Sequence, residues 1–188
     1  WNLSRFAECL IPLIHNDQNK SIEIATETLN SFEKKYEEKW LNMMRDKLGL
    51  FGSEDNDKIL ILDLLTWMHQ KKTDYTNTFC HLMGLEIDQN DKFQDDDFQS
   101  WKERWQKRHS LNNKNYEKCV KLMRSVNPLV IPRNIMVENA LKDADKGNFD
   151  STKKIIGILS NPYLEQKDII NYQAASLSNK NYKTFCGT

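Results

Sequence analysis

Apolar residues recur at helical spacing along nearly the whole chain, and no stretch alternates apolar and polar residues as a half-buried strand would. The opening, WNLSRFAECLIPLI, carries Trp1, Leu3, Phe6, Leu10, Ile11, Leu13 and Ile14 around most of its circumference, the pattern of a core helix. From about Lys20 the stripe Ile22, Ala25, Leu29, Phe32, Tyr36, Trp40, Met43, Met44 and Leu48 predicts one long helix, stopped by Gly49. Ser53-Glu54-Asp55 opens a third helix, with Ile59, Leu60, Leu62, Leu64, Leu65 and Met68 directed inward. Thr73-Asp74 caps a shorter one through Tyr75, Phe79, Leu82 and Met83. Residues 84–94 are polar and acidic and read as a loop, after which Phe98, Trp101 and Trp105 make one face of a helix ending near His109. Ile155, Ile156, Ile158 and Leu159 face inward from a late helix that Asn161-Pro162 ends.

The most specific stretch is residues 123–140, MRSVNPLVIPRNIMVENA. A helix carrying Tyr116, Val120 and Met123 runs into Asn127-Pro128, where proline lacks an amide proton and pushes the preceding residue out of the helical region. Leu129-Val130-Ile131-Pro132 is too apolar for a solvent loop, so the turn is expected to lie under neighbouring helices. Pro132 suits the first position of a new helix, which runs through Arg133, Asn134, Val137 and Leu141 to a stop at Lys146-Gly147. The expected fold is all-α, a single domain of about eight helices. Residues 1–16 would be a core helix, residues 17–160 a bundle and residues 161–188 an extended tail.

Composition narrows the classes. Lys and Arg number 27 against 27 Asp and Glu, so no net field draws the chain to nucleic acid or an anionic membrane. A mean hydropathy of -0.73 suits a folded chain with a wet surface. No apolar run approaches the roughly 20 residues that cross a bilayer. Cys9, Cys80, Cys119 and Cys186 are far apart and form no C-x-x-C pair, which points to a reducing compartment and away from a structural zinc site.

Candidate chemistry is sparse. Asp95-Asp96-Asp97 lacks a glycine-bent ligand loop and reads as acidic residues favoured at a helix start. Trp101 and Trp105 share a face while Lys102, Arg104, Lys107 and Arg108 occupy others, an amphipathic helix more than a base-stacking platform. His15, His69, His81 and His109 have no paired ligand spacing. No Gly-rich phosphate loop, G-x-S-x-G elbow or Cys/His constellation is present. Arg133-Asn134 at a helix start could touch phosphate, but the guanidinium is expected to tie down the buried turn by bonding carbonyls of the VNPLVIP segment.

The phrases MRSVNPLVIPRN, ENALKDADKGNF, LSNPYLEQ and the ending YKTFCGT resemble the C-terminal part of the SelO/YdiU (selenoprotein O) family, and WNLSRFAECLIPLI resembles that family's helix just beyond the nucleotide site. The resemblance runs end to end and is weakest over residues 84–115. It implies a helical part of a protein-kinase-like C-lobe with its C-terminal extension, belonging to a parent that moves AMP from ATP to protein Ser, Thr or Tyr hydroxyls. ATP and Mg or Mn are implied for that parent. The family's catalytic, ATP and metal motifs lie upstream, so none is carried onto these residues, and the chain alone is expected to be a fragment without catalytic activity.

Cys186 matches by position the cysteine or selenocysteine near the family's end, which implies a redox or regulatory role; Asn127, Pro128, Pro132, Arg133 and Asn134 are expected to be structural. Implied partners are the upstream kinase-like part, protein substrates of the parent and, through the first helix, a second copy of the fragment; neither nucleic acid nor membrane is expected. The ending fits a cytoplasmic bacterial protein, or a mitochondrial one in a eukaryote. The alternative is a helical interaction module of a pseudokinase without transferase activity.

Overall fold

A computed structural model of the chain describes residues 1–87, 90–111, 116–167 and 169–173. These form α1 (Asn2–Ile14), α2 (Gln18–Asn30), α3 (Phe32–Lys47), α4 (Asp57–Lys71), α5 (Tyr75–Leu82), α6 (Asp96–Ser110), α7 (Tyr116–Val126), α8 (Asn134–Ala144), α9 (Asp150–Leu159) and α10 (Ile170–Gln173), with a 3-10 turn at Asn90–Gln94. No strand occurs among the described residues, and no helix there is long and apolar enough to cross a membrane. The chain divides into two compact units, Trp1–Met44 and Arg45–Thr188.

In the first unit α1 packs against α2. Asp17 caps α2, its Oδ1 accepting from the amides of Asn19 (2.8 Å) and Lys20 (3.3 Å), two donors that have no partner within the helix. Ser21 is buried and its Oγ donates to the His15 carbonyl at 3.0 Å, pinning the turn between the two helices. No residue of α1 is buried; Trp1 is 87% exposed and Leu13 80%. The single long helix expected from Lys20 to Leu48 is instead interrupted at Ser31. Thr28 Oγ1 donates back to the Ile24 carbonyl (2.8 Å) and Ser31 Oγ to that of Thr28 (2.7 Å), side-chain bonds that compete with the helical ladder.

The second unit takes in the last turn of α3 and everything after it. Leu48 and Leu50 are buried on either side of Gly49, which has φ +69° and closes α3 with the Leu50 amide donating to the Arg45 carbonyl (2.9 Å). Helix α4 packs on α6. Its buried face is Leu60, Ile61, Leu64, Trp67 and Met68, whereas Ile59 and Leu62, expected inside, are exposed. Phe98, Trp101 and Trp105 of α6 are buried in a ladder, with successive centroids 5.7 and 5.8 Å apart. Each indole N–H finds a carbonyl, Trp101 on Leu60 (2.8 Å) and Trp105 on Leu48 (2.9 Å). These rings are core and cannot stack on bases.

The expected loop over residues 84–94 holds the 3-10 turn, because Phe93 turns inward and stacks on His81 with centroids 3.9 Å apart. Helix α9 buries none of its residues, and Ile156 is exposed. Within the span expected to be an extended tail, α10 adds one short helical turn.

Candidate functional site

The turn after α7 is assembled from residues far apart in sequence. Asn127 is fully buried. Its Nδ2 donates to the Lys47 carbonyl and to that of Met123, both at 2.9 Å, so the helix end and the end of α3 share one carboxamide. Leu129 and Val130 are buried, and the Leu129 amide donates to the Pro162 carbonyl (2.7 Å), joining this turn to the stop of α9. Pro128 and Ile131 are half-buried and Pro132 is exposed.

Helix α8 starts at Asn134, two residues beyond the expected position, with Arg133 at its N-cap in extended conformation (φ -80°, ψ 130°). That backbone sends the Arg133 side chain toward α5, whose N-cap is Asp74. Two guanidinium nitrogens bond the Asp74 carboxylate: Nη1 to Oδ2, and Nη2 to Oδ1 at 2.9 Å. Nη2 also reaches Asn77 Oδ1 and the Gln173 carbonyl, each at 3.3 Å. The expected anchorage on VNPLVIP carbonyls is therefore corrected: a carboxylate at another helix start draws the guanidinium more strongly than neutral carbonyls do. Burial pushes the Asp74 carboxyl up, but the Arg133 bonds and the Asn77 amide outweigh it and hold it below its ordinary value. Asn134 is exposed.

Behind this pair lies Cys80, with no exposed surface. Its Sγ is 3.9 Å from the Leu129 carbonyl and 4.0 Å from that of Pro128. Burial, with the Asp74 charge second, pushes the thiol up to about 11, so it is neutral and inert at neutral pH. Cys119 is also buried, whereas Cys9 is exposed. Lys47 is buried with Nζ 4.7 Å from the Phe79 ring centroid and 5.4 Å from that of Tyr75, and burial lowers its pKa. Cys186 lies outside the described residues.

A second polar centre lies where α4 begins. Asp57 is buried between two arginines: Arg45 Nε donates to Oδ2 and Arg108 Nε to Oδ1, each at 2.6 Å, Arg108 Nη2 also reaches Oδ2 at 3.2 Å, and the Glu54 amide donates at 3.0 Å. Burial alone would raise the Asp57 carboxyl; the Arg108, Glu54 and Arg45 bonds together leave it lowered. Sequence reasoning missed this triad because nothing local distinguishes Asp57 from its acidic neighbours. Its one signal is an acid at a helix start preceding an otherwise apolar run.

These carboxylates do not fit a metal–nucleotide site. Asp57 is committed to Arg45 and Arg108, Asp74 to Arg133 and Asp95 to Lys71. Among the described residues no group of three or more His, Cys, Asp or Glu side chains converges to hold a metal ion.

The fold and these two centres define a protein that is helical throughout its regular described structure and whose charged side chains lock helix ends together. Against known families, residues 1–160 match the one described as protein adenylyltransferase SelO. The chain belongs to the SelO/YdiU family. Among its relatives, the protein nucleotidyltransferase YdiU of Pelagibacter ubique is 50% identical over the whole of this chain, that of Alcanivorax borkumensis 45% and one from Clostridium perfringens 40%. The chain spans 39% of the length of each.

Proposed function

We propose that this chain is the helical, structural and regulatory part of a SelO-type protein adenylyltransferase, with the nucleotide site in the remainder of the relatives' length. The observation that carries the reading is the match of the whole chain to nucleotidyltransferases of which it spans only 39%. Its carboxylates support the division of labour, being tied to arginines and a lysine. In this reading the helices are the lower part of a kinase-like C-lobe and its extension. ATP with Mg or Mn, bound elsewhere in the protein, supplies the AMP group and offsets its phosphate charge. Asn127, Arg133 and Asp74 hold the helix ends that this lobe presents. Cys186 is assigned a redox role on family position alone.

The test is transfer of labelled AMP from ATP to protein hydroxyls by the full-length protein with Mg or Mn, with this chain alone in parallel. Transfer by the full-length protein and none by the chain is the expected result. Transfer by the isolated chain would overturn the reading, and so would a full-length protein that binds no ATP. Comparing Cys186→Ala with the native protein under oxidising and reducing conditions tests the redox assignment: a redox response unchanged by the substitution removes it.

A further inference from the structure

The segment ending at Gln173 is attached differently from the helices beneath it. Helix α10 spans only Ile170–Gln173, too short to hold its shape by its own hydrogen bonds. Ile169 and Gln173 are buried, whereas Ile170 is exposed. Gln173 makes the polar attachment: its Nε2 donates to the Leu129 carbonyl at 2.8 Å, and its main-chain carbonyl accepts from Asn77 Nδ2 at 3.0 Å and Arg133 Nη2 at 3.3 Å. The same Nε2 lies 4.0 Å from Cys80 Sγ. The space beside it, lined by Asn77, Ile87, Ile170 and Gln173, is about 10 Å³, at the lower limit for one water, so the carboxamide fills its seat.

We propose that Ile169–Gln173 is a reversible strap, with Gln173 as its latch, that opens independently of the rest of its unit and controls access to the Cys80 thiol. The partners explain why opening can stay local. When Gln173 leaves, Arg133 keeps both bonds to Asp74, and the Leu129 amide keeps Pro162, so the groove under the strap survives. Among the described residues, opening gives up the Gln173 contacts and the Ile169 burial, a small fraction of what holds the helices. Segments attached in this way open well below the free energy of global unfolding. The closed strap keeps the thiol dry and protonated; opening it admits water and reagent to a thiol that faces the Arg133 and Lys47 cations, which favour thiolate, and the Asp74 carboxylate, which opposes it.

Thiol labelling of the full-length protein by N-ethylmaleimide, read residue by residue by peptide mapping, tests this. Cys119, buried in α7, reports opening of the unit as a whole. Cys80 is expected to react faster than Cys119 in the native protein. Gln173→Ala is expected to speed Cys80 about ten-fold while leaving Cys119 unchanged, the size of effect expected from losing a buried side-chain hydrogen bond. Ile169→Ala, which loosens the strap without touching Gln173, should act in the same direction. Equal rates for Cys80 and Cys119 in all three proteins would overturn the proposal, because the thiol would then be reached only by unfolding the unit. Variants that accelerate both cysteines together would overturn it too, since the strap would then be inseparable from the fold.

Discussion

The Asn127 side chain donates to the main-chain carbonyl of Lys47, 2.9 Å away and 80 residues earlier, and neither group has access to solvent from this contact. The same amide serves Met123, so one carboxamide closes the end of α7 and fastens it to the end of α3. Asn127→Ala leaves the buried Lys47 carbonyl without this donor and opens a small void. A loss of about 2–3 kcal/mol is expected from chemical denaturation. Asn127→Asp should cost more than alanine, because it turns a carboxylate toward two carbonyl oxygens. An Asp variant as stable as the parent would show that this bond does not hold the turn.

Gly49 makes the complementary close approach. With φ +69°, a Cβ there would lie 2.8 Å from the Cys119 main-chain carbonyl and 3.0 Å from Met123 Cγ. Gly147 has φ +83°, but a Cβ would meet nothing within 4 Å. The pair separates backbone strain from collision. Gly147→Ala should cost about 1 kcal/mol, the left-handed penalty alone, and Gly49→Ala at least about 2 kcal/mol. Equal losses in thermal or denaturant unfolding would mean that the α3 end and α7 can separate without penalty.

What could be read from the sequence, and what could not, divides along the same line between local and distant causes. The Asp74 cap, the Gly49 and Gly147 stops, the Asn127-Pro128 break and the Trp101–Trp105 face were all legible, since each depends on neighbours within a turn or two. The partners were not. Arg108 meets Asp57 from 51 residues away and Asn77 meets Gln173 from 96, and no spacing rule encodes such pairs. Periodicity also overcounted the core. Ile59 and Leu62 share helical spacing with buried residues of α4, and Ile156 with half-buried residues of α9, but their sides of the two helices meet no covering element among the described residues. The break at Ser31 was hidden because Thr and Ser are ordinary in a polar helix face until their hydroxyls turn back on the main chain.

Arg133 and Asp74 offer a cycle that isolates an ion pair from a helix cap. Asn is as good a cap as Asp, so Asp74→Asn keeps the amide bond to Asn77 while removing the charge. Arg133→Leu alone leaves a largely buried carboxylate uncompensated and should cost about 3 kcal/mol. In the double variant that carboxylate is gone, so the combined loss should fall short of the sum of the single losses. Arg133→Lys should rescue little, because an ammonium cannot span both carboxylate oxygens. Strict additivity of the two single changes would show that the pair is not coupled.

The apolar side of α1 gives an association test. Trp1, Leu3, Phe6 and Leu13 are exposed together on a helix with no buried residue. Isolated exposed apolar residues are ordinary, but this many on one short helix make a candidate contact surface. We propose that the chain expressed by itself pairs with a second copy through α1. Sedimentation should show a concentration-dependent dimer, which Phe6→Glu with Leu13→Glu abolishes without altering the helical circular dichroism. A monomer at all concentrations would dismiss this surface as a self-contact.

The buried titratable groups set the acid response, and their signs differ in where they act. His109 is buried with Nε2–H donated to the Leu48 carbonyl at 2.9 Å, and burial lowers its pKa below the ordinary 6.5. On acidification the unfolded chain therefore takes up this proton first, so stability falls as pH drops below about 6.5 and levels once the folded imidazole also titrates. Asp57 and Asp74 are likewise lowered, but as acids from an ordinary 3.8. Their contribution is fully present above that value and is lost as pH falls through their folded values, giving a second, steeper decline below about pH 4. The melting temperature should thus fall in two stages between pH 7.5 and 2.5. In His109→Gln, whose amide can still donate to Leu48, the upper stage should vanish while the lower remains. An unchanged upper stage in that variant would assign it to a different group, and a flat profile down to pH 4 in the parent would mean that His109 can take up a proton in the folded state without cost.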